Sequence, residues 1–262
     1  MRTWASGRVK VAGGHLAYHR TGGDGPTLVL SHGLTDNGLC WTRLATALEA
    51  EFDVIMLDAR GHGQSSRIVD GHAFDPGRDI AEAVEGLHLS APILMGHSVG
   101  GRATADCAGA WPGLISRVVL EDPAFVPMPE ASVADRNRER FRQQTERYGI
   151  MTRAELMAMG AKYHPTWHQD EFPAWLEAKA QLDPNALPTF AVPWQESVAR
   201  IKFPTLILHG EAALGGLVSA ELAEEARALN RQIQTIEIPG AGHNTRRENF
   251  EAYLKALRRF LH

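Results

Sequence analysis

Several short segments of this chain are apolar almost from end to end, and text with helical spacing separates them. Residues 27–31 (Thr-Leu-Val-Leu-Ser), 53–58 (Asp-Val-Ile-Met-Leu-Asp), 92–96, 117–121 and 204–209 fit strands of ordinary length. A strand that is apolar at successive positions is buried on both faces, which is the condition of a parallel sheet covered by helices. Between the strands, residues 41–50 place Trp41, Leu44, Ala45 and Leu48 on one helical face, and 75–87, 99–110, 219–229 and 249–261 also suit helices. A further strand fits 232–238. At the start, two alternating runs, 8–12 and 15–20, flank Gly13-Gly14 and predict a β-hairpin. The expected fold class is α/β, with a mostly parallel central sheet flanked by helices.

The alternation stops between Pro123 and Phe203. That stretch has no strand text; it offers helices over 134–148, 153–163 and 171–182 and holds Trp167, Trp175 and Trp194, half of the six tryptophans. The expected division is therefore a core domain of residues 1–122 and 204–262, with 123–203 as a helical cap insertion. It would sit over the carboxyl ends of the strands, where open α/β sheets bind ligands. At 262 residues the chain is long enough for one large domain, and 44% hydrophobic with 22% charged residues argues against disorder. A net charge of −4 supplies no field for nucleic acid or anionic lipid. Residues 1–4 lead into no apolar signal-peptide core, and no apolar run is long enough for a membrane span. Cys40 and Cys107 match no metal spacing, so two reduced core thiols in a cytoplasmic protein are expected.

Three motifs carry chemistry. Gly96-His97-Ser98-Val99-Gly100 follows one predicted strand and opens a helix. A serine on such a turn is held in a strained conformation with its hydroxyl exposed, and the Val99 amide at the helix start can stabilise an oxyanion. His32-Gly33-Leu34 ends an earlier strand, where the Leu34 amide can approach the same oxyanion. Gly240-Ala241-Gly242-His243 follows the last strand and puts a histidine far C-terminal to Ser98, the order expected of a general base.

Together with the Asp58-Ala-Arg-Gly-His-Gly-Gln-Ser65 turn, these motifs resemble the α/β-hydrolase fold superfamily over nearly the whole chain. The resemblance implies Ser98 as nucleophile, His243 as base, and the Leu34 and Val99 amides as oxyanion hole. The acid departs from the pattern. Members usually place it in a Gly-Glu-x-Asp sequence after the strand at 204–209, but here the text is Gly210-Glu211-Ala212-Ala213. Zearalenone-lactonase-like and some dehalogenase-like members use an acid at the end of the preceding core strand. That point here reads Glu121-Asp122, and the family spacing favours Asp122, with Glu121 and then Glu211 as alternatives. Phe125, Trp167 and Trp194 are expected to face substrate, the other reading being that the aromatics form the insertion's own small core.

The function expected is a serine hydrolase acting on a small-molecule carboxylic ester or lactone through an acyl-enzyme, with no cofactor and no metal. A cap of modest size without long apolar lid text favours a short acyl ester or a lactone. A C–C bond hydrolase using the same serine and histidine is an alternative. A ligand-binding receptor on a hydrolase scaffold is another, supported by Ala213. A dinucleotide-binding protein is set aside because no Gly-x-Gly-x-x-Gly follows the first parallel strand. His164 and His168 have metal-like spacing, but Pro165 interrupts the helix and no third ligand is evident. The arginines between Arg136 and Arg147, interleaved with glutamates, suit a solvated helix face, and Asp36-Asn37 suits a turn.

Overall fold

A computed structural model describes residues 4–69 and 74–262; Met1–Thr3, part of the N-terminal segment read above for a leader, lie outside the described residues. The chain opens with the hairpin β1 (Ala5–Val11) and β2 (Gly14–Arg20), turning at Gly13-Gly14 as the sequence predicts. Then follow β3 (Thr27–Ser31), α1 (Thr42–Leu48), β4 (Asp53–Leu57), α2 (Pro76–Gly86), β5 (Ile93–His97), α3 (Ser98–Ala110) and β6 (Arg117–Glu121). Three helices come next, α4 (Ala131–Ile150), α5 (Arg153–Tyr163) and α6 (Phe172–Ala180), then α7 (Trp194–Arg200). The chain closes with β7 (Thr205–His209), α8 (Ala220–Leu229), β8 (Ile233–Glu237), α9 (Thr245–Glu248) and α10 (Phe250–Leu261).

The eight strands form one sheet in the order β1-β2-β4-β3-β5-β6-β7-β8, antiparallel at β1–β2 and β2–β4 and parallel from there on. Successive strand residues feed opposite faces. Val29, Ile55, Leu94, Val118 and Ile207 pack under α2, α3, α7 and α8, while Leu28, Val54, Met95, Val119 and Leu206 pack under α1 and α10. This double burial is why the central strands lack a polar face. It also brings the carboxyl ends of β3, β5, β6 and β7 to one edge, where the site lies. No helix among the described residues is long and apolar enough to cross a membrane.

The segment between β6 and β7 differs from expectation at its end. Helices α4, α5 and α6 follow the predicted text, and α5 and α6 pack around a small cluster of Leu156, Trp167, Phe172, Trp175 and Leu176. Helix α7 is not foreseen by the sequence reading, and it is not part of that cluster. Trp194, Val198 and Ile201 belong to the main core beneath the sheet. The expected insertion boundary at Phe203 thus includes a helix that packs as core.

Candidate active site

The turn from β5 into α3 places Ser98 with φ +56, a left-handed conformation that a non-glycine residue holds only when its surroundings enforce it. Close packing does so here. A Cβ on Gly100 would lie 2.3 Å from the His32 carbonyl oxygen, so only glycine lets the helix start press against the loop after β3. That contact brings the Leu34 and Val99 segments together, and both residues line the same cavity.

His243 arrives on the loop between β8 and α9. Its Nε2 lies 3.1 Å from Ser98 Oγ and its Nδ1 lies 2.6 Å from Asp122 Oδ2. Asp122 is fully buried, at 0% exposure, and also sits at positive φ (+37). Besides the histidine, it accepts the Leu217 amide at 2.8 Å and the Val218 amide at 3.1 Å. Three donors compensate a carboxylate removed from water. The loop after β7, where the family pattern puts its acid, thus contributes backbone donors to Asp122, while Ala213 stands exposed in a single helical turn.

Glu121 and Glu211 occupy other positions. Glu121, equally buried, accepts from Arg246 Nη1 at 3.0 Å, Thr245 Oγ1 at 3.0 Å and the Tyr253 hydroxyl at 3.2 Å. Burial drives its carboxyl upward, but the Arg246 guanidinium outweighs this and holds it below its ordinary value. It therefore ties the histidine loop down from behind. Glu211 accepts the Gly240 amide at 2.6 Å, bracing the same loop from its solvent side. His97, beside Ser98, approaches the His243 carbonyl with Nε2 at 3.0 Å. Burial pushes its ring down to about 4, so at neutral pH the neutral ring donates this bond.

The aromatic residues expected to face substrate are elsewhere. Phe125 and Trp194 stack on each other at 4.6 Å and 7° within the main core. Trp167 lies in the inserted segment's own cluster, with His164 stacked on it at 3.8 Å. Large apolar rings gain most from full burial, and these three are all at or below 6% exposure. His168 accepts the Asp170 amide at a helix start rather than pairing with His164. Cys40 and Cys107 are buried free thiols.

Asp36 is not the plain turn residue the sequence suggests. It is buried beside Arg247 at 3.1 Å, Lys179 at 3.8 Å and Arg246 at 3.9 Å, and Arg247 Nε also bonds Glu171 at 3.1 Å. Burial opposes its charge, but these cations hold the Asp36 carboxyl far below its ordinary range. Lys179, on α6, donates to the Thr35 carbonyl at 2.6 Å. One buried ionic group thereby joins the inserted segment, the loop carrying Leu34 and the helix after His243. Its pairs come from distant parts of the chain, so no local motif announces them.

A family model described as the alpha/beta hydrolase family matches residues 28–256. The chain belongs to this family. It is 28% identical over 256 residues to the 2-(acetamidomethylene)succinate hydrolase of Mesorhizobium japonicum, covering 92% of this chain and 90% of that protein. A crystal structure of E-2-(acetamidomethylene)succinate hydrolase superposes with a TM-score of 0.81 at 26% identity over 99% of both chains. The N-formylmaleamate deformylase of Pseudomonas putida is 28% identical over 274 residues, 98% of this chain and 96% of that protein. An α/β-hydrolase with these neighbours belongs among hydrolytic enzymes that act on small molecules.

Proposed function

We propose that this α/β-hydrolase cleaves a carboxylic ester or lactone through an acyl-enzyme on Ser98. The observation that carries the reading is the continuous line Asp122–His243–Ser98, with contacts of 2.6 and 3.1 Å. In this reading Ser98 Oγ attacks the acyl carbonyl carbon while its proton passes to His243 Nε2. Asp122 keeps the His243 Nδ1–H pointed away from the serine and stabilises the imidazolium as it forms. The Leu34 and Val99 amides receive the charge that develops on the carbonyl oxygen. His243 then returns the proton to the departing alkoxide. Water, deprotonated by His243 in turn, releases the acid and restores Ser98. No step asks for a group beyond these residues.

A second reading has support in the relatives, whose names specify an acetamido compound and an N-formyl compound. The same residues would serve an acyl group on nitrogen, with His243 protonating the departing nitrogen. A receptor with little turnover has less support, because Asp122 supplies the acid contact that Ala213 lacks.

The test is to measure hydrolysis of p-nitrophenyl acetate and butyrate, alongside an N-acyl p-nitroanilide, by the wild type and Ser98→Ala. Ser98→Ala should lower turnover by about 10⁵ to 10⁶, and a fluorophosphonate probe should label only the wild type. Equal labelling of both would place the nucleophile elsewhere. A single stoichiometric burst with no turnover of any substrate would favour the receptor.

A further inference from the structure

The cavity that begins at Leu34 and Val99 is about 420 Å³ and runs outward between α4 and the loops on either side of the inserted segment. Its walls include Val126, Met128, Phe141, Leu187 and Phe190, so it is far more apolar than carbonyl chemistry alone requires. Three arginines also border it, and they are not equivalent. Arg102 is buried, with Nε 2.9 Å from Asp106, Nη2 2.5 Å from the Val192 carbonyl and its plane over the Phe190 ring. It is fully committed to the wall. Arg138 is paired with Asp135 one helical turn away. Arg140 has neither a hydrogen bond nor an ion pair among the described residues, although Arg142, the next arginine along α4, is held by Glu139 and Glu146. The cavity is therefore apolar from Leu34 and Val99 outward and has an uncompensated guanidinium on its exposed side.

We infer that the cavity holds an apolar arm of the substrate ending in a carboxylate, which Arg140 receives. This rests on the ester or lactone reading and specifies the substrate class within it: the half-ester of a dicarboxylic acid, or a lactone bearing an acidic tail. At roughly 30 Å³ for each water-sized group, the cavity has room for about fourteen such groups, so an eight-carbon arm fits with space left over. Closing an apolar wall around each methylene favours the longer arm. An exposed arginine contributes modestly and screens with salt, so the acid group tunes selectivity rather than supplying most of the affinity.

The experiment compares kcat/KM for p-nitrophenyl acetate, p-nitrophenyl octanoate and p-nitrophenyl hydrogen suberate, the last matching octanoate in length but ending in a carboxylate. Octanoate should exceed acetate by tenfold or more, and Ala134→Phe, which fills the cavity from α4, should cut that ratio several-fold. The suberate monoester should exceed octanoate by about three- to fivefold at low salt, falling toward parity in 0.5 M (about) salt and in Arg140→Gln. Circular dichroism checks that both variants fold. A suberate-to-octanoate ratio at or below one, or one that Arg140→Gln leaves unchanged, overturns the acidic arm. An octanoate-to-acetate ratio that Ala134→Phe does not alter overturns the assignment of the cavity. Either result with Ser98-dependent turnover of acetate intact sinks this inference alone; loss of all three activities in the wild type sinks the ester reading as well.

Discussion

Ser98 and Asp122 stand side by side because β5 and β6 pair in a register that sets His97 against Glu121. Each residue is the first beyond its strand, and each leaves the strand through a positive φ, +56 and +37. Two neighbouring strand ends thus turn their next residues toward one histidine. In this arrangement Asp122 needs no partner strand of its own, and the loop after β7 is free to donate the Leu217 and Val218 amides. Such backbone conformations cost of order 1–3 kcal/mol each and persist where the surroundings enforce them.

The adjacent carboxylates Asp122 and Glu121 should separate cleanly by mutation. Asp122→Asn keeps the shape but replaces one acceptor oxygen with an NH2 donor, which disturbs the His243 tautomer or faces the Leu217 or Val218 amide. The kcat should therefore fall about 10⁴ with little change in KM and a stability loss of about 1–3 kcal/mol. Glu121→Gln should leave kcat within about tenfold but destabilise the fold by roughly 3 kcal/mol, since Arg246 then stays buried with only the more distant Asp36, at 3.9 Å, as a charge partner. Steady-state kinetics and urea melts on both proteins decide this. If Glu121→Gln is the inactive variant and Asp122→Asn is not, the roles given to the two residues are reversed. Ala213→Asp should rescue Asp122→Asn poorly, because position 213 is exposed while position 122 is enclosed.

How much of this was legible in the sequence depended on how local the signal is. The parallel strands declare themselves through continuous apolar runs, and Ser98 and His243 through glycine-rich turns at strand ends. The choice between Asp122 and Glu121 follows from resemblance to the family; physically it is set by a strand register and a positive φ that residue types do not encode. Helix α7 has only seven residues and follows Pro193, yet Trp194, Val198 and Ile201 at i, i+4 and i+7 carry the helical spacing that would have revealed it. The Asp36 group was beyond reach for a different reason. Lys179 is 144 residues from its acceptor Thr35, and nothing in the sequence brings them together before the fold does.

Trp194 and Phe125 test whether the aromatic residues serve the core or the substrate. Their stacked rings lie within the cluster beneath the sheet, so Trp194→Ala should cost about 3–5 kcal/mol in stability through transfer and cavity terms. At a temperature where the variant remains folded, fluorophosphonate labelling and the ratio of butyrate to acetate hydrolysis should match the wild type. A changed ratio with wild-type stability would return Trp194 to the substrate pocket.

Acid should destabilise the protein through buried histidines. Burial pushes the rings of His62 and His97 down to about 4, while the unfolded chain titrates at about 6.5. Below that value the unfolded state binds a proton on each ring that the folded state does not, so stability falls as pH drops from about 6.5 toward 4. The stabilisation at neutral pH relative to pH 4 is on the order of 3 kcal/mol for each ring. Urea midpoints measured from pH 7 to pH 4 should decline, and His62→Gln should flatten the slope. A midpoint constant across that interval would show that neither ring is held neutral.

Asp36 is the residue on which the junction of the inserted segment with the sheet edge depends. Arg247 and Arg246 on α9 and Lys179 on α6 converge on it from two other parts of the chain, and all four side chains are buried. Lys179 also has its ammonium pulled down to about 8 by burial, so its charge is retained at neutral pH only with carboxylate help nearby. Removing that help leaves an excess of buried positive charge, and breaking a buried pair from one side typically costs about 3–5 kcal/mol. Asp36→Asn should therefore lower the urea midpoint strongly. It should also loosen the loop that carries Leu34, because Lys179 donates to the adjoining Thr35 carbonyl and Arg247 anchors the helix after His243. In hydrogen exchange the amides of residues 33–38 and 243–248 should lose protection together, while those of β4 keep theirs. Lys179→Met provides the converse: it removes one cation yet keeps apolar bulk against Trp175 and Tyr148, and should cost less than Asp36→Asn. If Asp36→Asn is as stable as the wild type, the cations are compensated elsewhere and the ionic junction does not hold these segments together.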